Sequence, residues 1–251
     1  MTGRARIRSA AGFAAVVLAA LVPPAAGHAD DGPSARDLVD EARDNFVGAR
    51  SVHLELTDHR RSTDRTARES VTLTMDRAGN CVGELVLKAG GGSVEIVKRG
   101  DQMWMKPDRA YWKAQLPGAQ GEAAARLLED RYVHGTTDDS ALEGLARVCD
   151  LAALQKEVAA KSSSGTPVTK GKETETEDTR VIPVSTTKDG RQKVLYITSA
   201  EPHRLVRETE RGRGTDRSVD LTGYDEPVPS ATPSAKESVD VSRLEQMLES
   251  R

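Results

Sequence analysis

Apolar and polar residues alternate along much of this chain. Val52, Leu54 and Leu56 fall on one face of an extended segment, with His53, Glu55 and Thr57 on the other. The pattern returns in Val71, Leu73 and Met75 against Ser70, Thr72, Thr74 and Asp76. A period of two describes strands that bury one face and wet the other. Turn-forming clusters at 77–80, 90–92, 99–101 and 106–109 leave short strand segments at 83–88, 93–98, 102–105 and 110–113. An antiparallel meander of about six strands is the expectation.

Helical periodicity precedes and follows this meander. Ser34 is placed to N-cap a helix whose stripe carries Leu38, Val39, Ala42, Phe46 and Val47, and Gly48 closes it. Between 117 and 161 the period changes again. Ala123, Leu127, Leu128 and Tyr132 suit a helix, Ser140-Ala-Leu-Glu143 matches a capping box, and Asp150 is placed to cap a helix with Leu151, Leu154 and Val158. A loop at 162–165 leads to a second meander, with strands expected at 167–176, 180–187, 192–199, 203–210 and 215–222. Residues 224–237, rich in Pro, Ser and Ala, read as an extended wrap, and Ser242-Arg-Leu-Glu245 as the cap of a short last helix. The class is α+β, with about eleven antiparallel strands in two groups, a leading helix and a central helical insert. A β-sandwich fits the strand count but leaves the helices unexplained.

The N-terminus reads as an export signal over residues 1–29. Arg4, Arg6 and Arg8 precede a thirteen-residue apolar run at 10–22, and Gly27-His28-Ala29 supplies small residues for cleavage. The run is short of the roughly 20 residues that span a bilayer, and an uncleaved anchor is the competing reading. No cysteine follows the small residues, so the expected product is secreted, soluble and free of a lipid anchor. The expected organisation is a signal at 1–29, a binding domain at 30–223, and a wrap with a short helix at 224–251.

Composition narrows the chemistry. The formal charge of −3 becomes −6 without the three signal arginines, and no basic stripe interleaves with the eight aromatic residues, which disfavours a nucleic-acid partner. Two cysteines, Cys81 and Cys149, in an exported chain read as one disulfide, with a pair of free thiols as the alternative. His53, His59, His134 and His203 lack metal-ligand spacing, and there is no Gly-x-Ser-x-Gly elbow. Gly212-Arg-Gly214 is a hairpin tip rather than a phosphate loop. The acidic groups at 138–139 and at Glu173, Glu175 and Glu177 read as solvated faces, as does Arg60-Arg61, a pair also suited to anionic headgroups at a cavity mouth. No catalytic residue, cofactor or metal is expected.

Several segments in order resemble the LolA-like family of lipoprotein carriers, in particular the LppX/LprG-type cell-envelope lipoproteins. They are the opening helix leading into SVHLELT, the paired short strands of VEIVKRGDQMWMKPDRAYWKA, the insert from Cys149-Asp150, and VLYITSAEPHRLVRE. The ending LTGYDEPVPSATPSAKESVDVSRL, with Tyr-x-Glu-Pro-Val before a proline-containing wrap, is the most distinctive. The resemblance covers about residues 35–248 and implies an incomplete antiparallel barrel, a half-barrel whose concave face is covered by helices around an apolar cavity for acyl chains. The missing lipidation cysteine departs from the tethered members.

On that expectation the alternating positions nominate Leu54, Leu56, Val71, Leu73, Met75, Leu85, Leu87, Val94, Ile96, Met103, Met105, Leu195 and Ile197 as cavity lining. The three methionines suit an adaptable surface. The alternative is that all these side chains simply pack against the insert. The expected function is a non-catalytic lipid or amphiphile carrier making transient membrane contact. An extracytoplasmic protein-interaction module with a filled core and no ligand is the other reading.

Overall fold

The computed structural model describes residues 32–116, 118–160 and 165–249. The expected signal segment, and residues 162–164 of the expected loop, lie outside the described residues. The first half of the chain contains α1 (Ala35–Gly48), β1 (Ser51–Asp58), β2 (Arg68–Asp76), β3 (Cys81–Leu87), β4 (Gly92–Arg99), β5 (Gln102–Pro107), α2 (Arg109–Gln115) and α3 (Gly118–Leu127). Next come β6 (Tyr132–Thr136), α4 (Glu143–Val148), α5 (Leu151–Ala160), β7 (Thr169–Lys170), β8 (Thr174–Thr176), β9 (Thr179–Lys188) and β10 (Arg191–Thr198). The chain finishes with β11 (Leu205–Gly212), β12 (Thr215–Thr222), β13 (Ser238–Asp240) and α6 (Val241–Glu249).

One sheet holds all these strands. Its order is β13-β6-β5-β4-β3-β2-β1-β12-β11-β10-β9-β7, with β8 also on β9. The two meanders fuse because β1 pairs with β2 on one side and β12 on the other, Leu54 lying between Leu73 and Leu221. The path does not close, so the sheet is an incomplete barrel. Pairing is antiparallel throughout except for β13 on β6.

The inner face follows the alternation in the sequence. Val71, Leu73 and Met75 are buried while their neighbours are not. Gly83, opposite Leu73, is a close approach of two strands: a Cβ there would lie 1.9 Å from the carbonyl oxygen of Thr72. The second half of the chain adds a smaller cluster in which Leu38 and Ala42 of α1 cover Val184 and Ile197.

The helix caps explain the element boundaries. Ser34 and Asp37 form a capping box at the start of α1, and the Asp150 carboxylate accepts from the Ala153 N–H at 2.8 Å, as expected for α5. Several expectations are corrected. Residues 110–113 are helix, not strand, because Asp108 accepts from the Tyr111 N–H at 2.7 Å and starts α2. Tyr132 opens the short strand β6 instead of continuing a helix, after a positive φ at Asp130. Ser140 caps nothing: the N-cap of α4 is Leu142, without a side-chain bond, while Asp139 is bonded to Thr136. At the last helix the capping carboxylate is Asp240, which accepts from both the N–H and the hydroxyl of Ser242.

The strand expected at 167–176 is broken into β7 and β8. Its partner β9 carries Pro183, which has no N–H to offer the ladder. Gly171, between the two pieces, bonds instead to the Pro183 carbonyl at 2.8 Å.

Two ties hold the layers together. Cys81 at the start of β3 is disulfide-bonded to Cys149 after α4, both fully buried. Gln155 of α5 donates to the carbonyls of Phe46 and Ala49, each at 2.9 Å, and accepts from Arg77, so it joins α5 to the end of α1. The expected wrap runs along the opposite, outer face. Gly223, Glu226, Pro227 and Pro229 lie against His53, Thr74 and Thr222, Arg99 donates to the carbonyls of Pro229 and Ala231, and the Tyr132 N–H donates to Glu237 O at 2.8 Å. The wrap thereby delivers β13 to the edge strand β6.

Candidate functional site

The inner face has two unlike halves. Under α2 to α5 the nominated residues Val71, Leu73, Met75, Leu85, Leu87, Val94, Ile96, Met103 and Met105 are all buried in the main core. They pack with residues of the insert such as Leu128, Leu142, Leu145 and Leu151. Ile197 is buried in the smaller cluster beneath α1. Leu54, Leu56 and Leu195 differ: they are only partly buried at the margins of the two clusters.

Strand register continues that margin. Leu56 faces Val219 on β12, itself half-buried, and the next inward pair along the same two strands is Asp58 with Arg217. On β11 the inward positions are Glu208 and Glu210, paired with Val219 and Arg217. An apolar row thus runs from Leu54 through Leu56 and Val219 into charge. It ends where the β1–β2 loop and the β9–β10 and β11–β12 turns converge.

Two adjoining clefts open at that end. One, of about 820 Å³, is lined by residues 57–63 with Glu69, Lys88 and Ala89. The other, of about 430 Å³, has Leu56 with Asp58, Arg60, Ala67, Arg68, Arg191, Glu210, Thr215 and Arg217. They share Asp58 and Arg60, and together they contain six cationic side chains against three carboxylates.

Four of these cations, Arg60, Lys88, Arg191 and Arg217, are held in place by carboxylates or main-chain carbonyls. The Arg60 guanidinium grips Asp58 at 2.6 Å and, as the main cause, holds that carboxyl down at about 2, with the nearby Lys88 charge helping. Lys88 is itself buried and donates to the main-chain carbonyls of Asp58 and Arg60, which pins the base of the β1–β2 loop. Buried Glu210 sits between Arg217 at 2.6 Å and Arg191 at 3.5 Å. A carboxylate with this little solvent requires such partners.

The histidines outside the clefts are scattered, each with its own partner. His53 bonds Thr74, His203 bonds the Thr198 carbonyl, and His134 bonds Gln102 while stacking on Trp104 at 4.7 Å. His59, in the larger cleft, bonds Ser218. Among the described residues no three metal-binding side chains converge, and no helix is long and apolar enough to cross a membrane. The indole Nε1 of Trp112 in α2 is buried in the apolar half with no acceptor among the described residues.

The sequence reading singled out Arg60 and Arg61 at this mouth. It missed Arg68, Arg191, Glu210 and Arg217. Their signal is a charge at an inward register position of an alternating strand, as Arg217 stands two residues from Val219. That signal needs the register, and hence the partner strand, to be known.

No family model and no curated relative matches the sequence. Among solved structures, the chain is similar to the lipoprotein LppX of Mycobacterium tuberculosis, with a TM-score of 0.51 at 14% identity over 77% of this chain and 96% of that one. It is also similar to LprF of Mycobacterium bovis, with a TM-score of 0.55 at 15% identity over 81% and 99% of the two chains. The half-barrel is therefore of the LppX type, as the resemblance in the sequence implies.

Proposed function

We propose that this chain is an extracytoplasmic, non-catalytic carrier that holds the acyl part of a lipid or other amphiphile against the inner face of its half-barrel. Residues 30–223 would form the binding unit, 224–251 an extended wrap with a short last helix, and 1–29 the export signal. The observation that carries the reading is the half-buried row Leu54, Leu56 and Val219, which the helices leave unsealed and which runs directly into an open cleft. Each methylene moved from water onto such a surface gains about 0.8 kcal/mol, so a chain of ordinary length offsets its ordering cost. The fold shared with LppX and LprF is consistent with a carrier.

The remaining nominated residues enter this picture as the wall reached when the insert lifts from the sheet. Their full burial in the described state is the observation that favours the second reading, a filled module that binds a protein and no lipid. Native mass spectrometry of the protein secreted by its own host separates the two. The carrier reading expects a stoichiometric lipid adduct that is diminished in Leu56→Gln, whereas a mass that stays bare in excess envelope lipid refutes it.

A further inference from the structure

We infer that the clefts at the open end of the half-barrel seat an anionic, phosphate-bearing headgroup of the bound amphiphile, with Arg68, Arg191 and Arg217 as its principal donors. This rests on the acyl-chain reading above and extends it to the class of lipid. A chain lying along Leu54 and Leu56 has its polar end where Leu56 meets Arg68 and Arg217, because all of these line one cleft.

Charge supports the assignment. The whole chain has a formal charge of −3, yet this end gathers six cations against three carboxylates. The carboxylates orient the cations and do not exhaust them. Glu210 engages Arg191 and Arg217 each through one close contact, and a guanidinium has five N–H donors in a rigid fork. Arg61 and Arg68 have no carboxylate partner among the described residues. Arg68 is aimed by a local irregularity: the β2–β3 ladder slips between Arg68 and Ser70, which leaves Arg68 in the smaller cleft and Glu69 in the larger one.

The site is also built to hold its shape. Lys88 spends its donors on main-chain carbonyls of the loop, and Arg65 donates to Gly90 O at 2.8 Å, tying that loop to the β3–β4 turn. Of the named donors, Arg191 and Arg217 are already held by Glu210 and lose little freedom when a tetrahedral oxyanion arrives. Guanidinium forks on strands β2, β10 and β12 approach the smaller cleft from different strands, an arrangement suited to several oxygens on one centre.

The test compares two fluorescent lipids with identical acyl chains, a phosphatidic acid and a diacylglycerol, binding to the full mature chain at low salt. The expected result is about tenfold tighter binding of the phosphatidic acid, the worth of one charge-assisted hydrogen bond. Arg68→Gln with Arg217→Gln removes that preference and leaves diacylglycerol binding in place. Arg61→Gln with Arg68→Gln provides a second variant free of internal partners should the first not fold. Equal binding of the two lipids overturns the headgroup inference and spares the acyl-chain reading, while binding of neither removes both. A preference that survives both double variants overturns the assignment to these arginines. Glycerol phosphate that competes as strongly as the lipid marks a site for soluble phosphates and overturns the lipid source.

Discussion

The half of the sheet formed by β2 to β6 and the half formed by β1 and β9 to β12 share one backbone pattern, yet one is a packed core and the other an open trough. Their sequences alternate alike. The difference lies in what the chain places on top: α2 to α5 all follow β5 before the second meander begins, and α2 and α5 reach across β4 and β2, whereas α1 reaches β10 and β11. Where cover is complete, the inward residues are apolar apart from Lys98 near the end of β4, whose ammonium reaches the Gly79 carbonyl at 2.9 Å. Where it is partial, inward positions turn to Asp58, Glu208, Glu210 and Arg217 as the cover runs out. The lesson is that inward alternation alone does not define core; the helix above it does.

The most disruptive way to blur the comparison is to cut the tie between the insert and the packed half. The Cys81–Cys149 bridge closes a separation of 68 residues, and losing it as C81A/C149A is expected to cost about 4 kcal/mol in the chain-entropy picture. Urea denaturation measures the loss. Amide exchange should rise in α4 and α5 before it rises in β9 and β10; uniform acceleration of both halves contradicts the division drawn here.

Next in size are two leucine truncations that the division predicts to differ. Leu73 is 1% exposed in the packed half, so Leu73→Ala should cost about 3 kcal/mol. Leu56, only partly buried at the margin of the trough, should cost less, about 2 kcal/mol on the same change, because part of its surface is already in water. Acyl-chain binding should rank them in the opposite order, with Leu56→Ala the weaker binder per folded molecule. Paired measurements of denaturation midpoint and lipid uptake check both halves of the statement.

Most of the packed half was legible in the sequence because period-two alternation and glycine-marked turns are local signals. The strands at 52–56 and 71–75 and the Ser34 and Asp150 caps lie where the pattern put them. What escaped depends on partners far along the chain. Tyr132 to Thr136 is too short to show a period and becomes a strand by pairing with β5, and β13 exists only because β6 offers it an edge. The mouth was half legible. Arg60 and Arg61 stand out as an adjacent pair, but Arg191, Glu210 and Arg217 meet only after β10, β11 and β12 fall into register.

The smallest effect sharpens the comparison at the mouth itself, through pH. Asp58 has its carboxyl lowered to about 2, chiefly by the hydrogen bond from Arg60. A group depressed on folding stabilises the protein above its unfolded value near 3.9, and the contribution fades as pH falls toward the folded value. The Arg60 side chain is 56% exposed, so solvent screening keeps the contribution to about 1 kcal/mol or less. Stability of the native chain should therefore slope downward between pH 4 and pH 2 slightly more than that of Asp58→Asn, which cannot ionise. Because Lys88 and Arg60 both converge on this residue, the same acid range should loosen the β1–β2 loop before the core under α2 to α5 responds. Exchange rates of the Arg60 to Thr66 amides, followed against those of Leu73 and Ile96, report that order directly; simultaneous loss of protection in both groups would show that the trough and the core open as one unit.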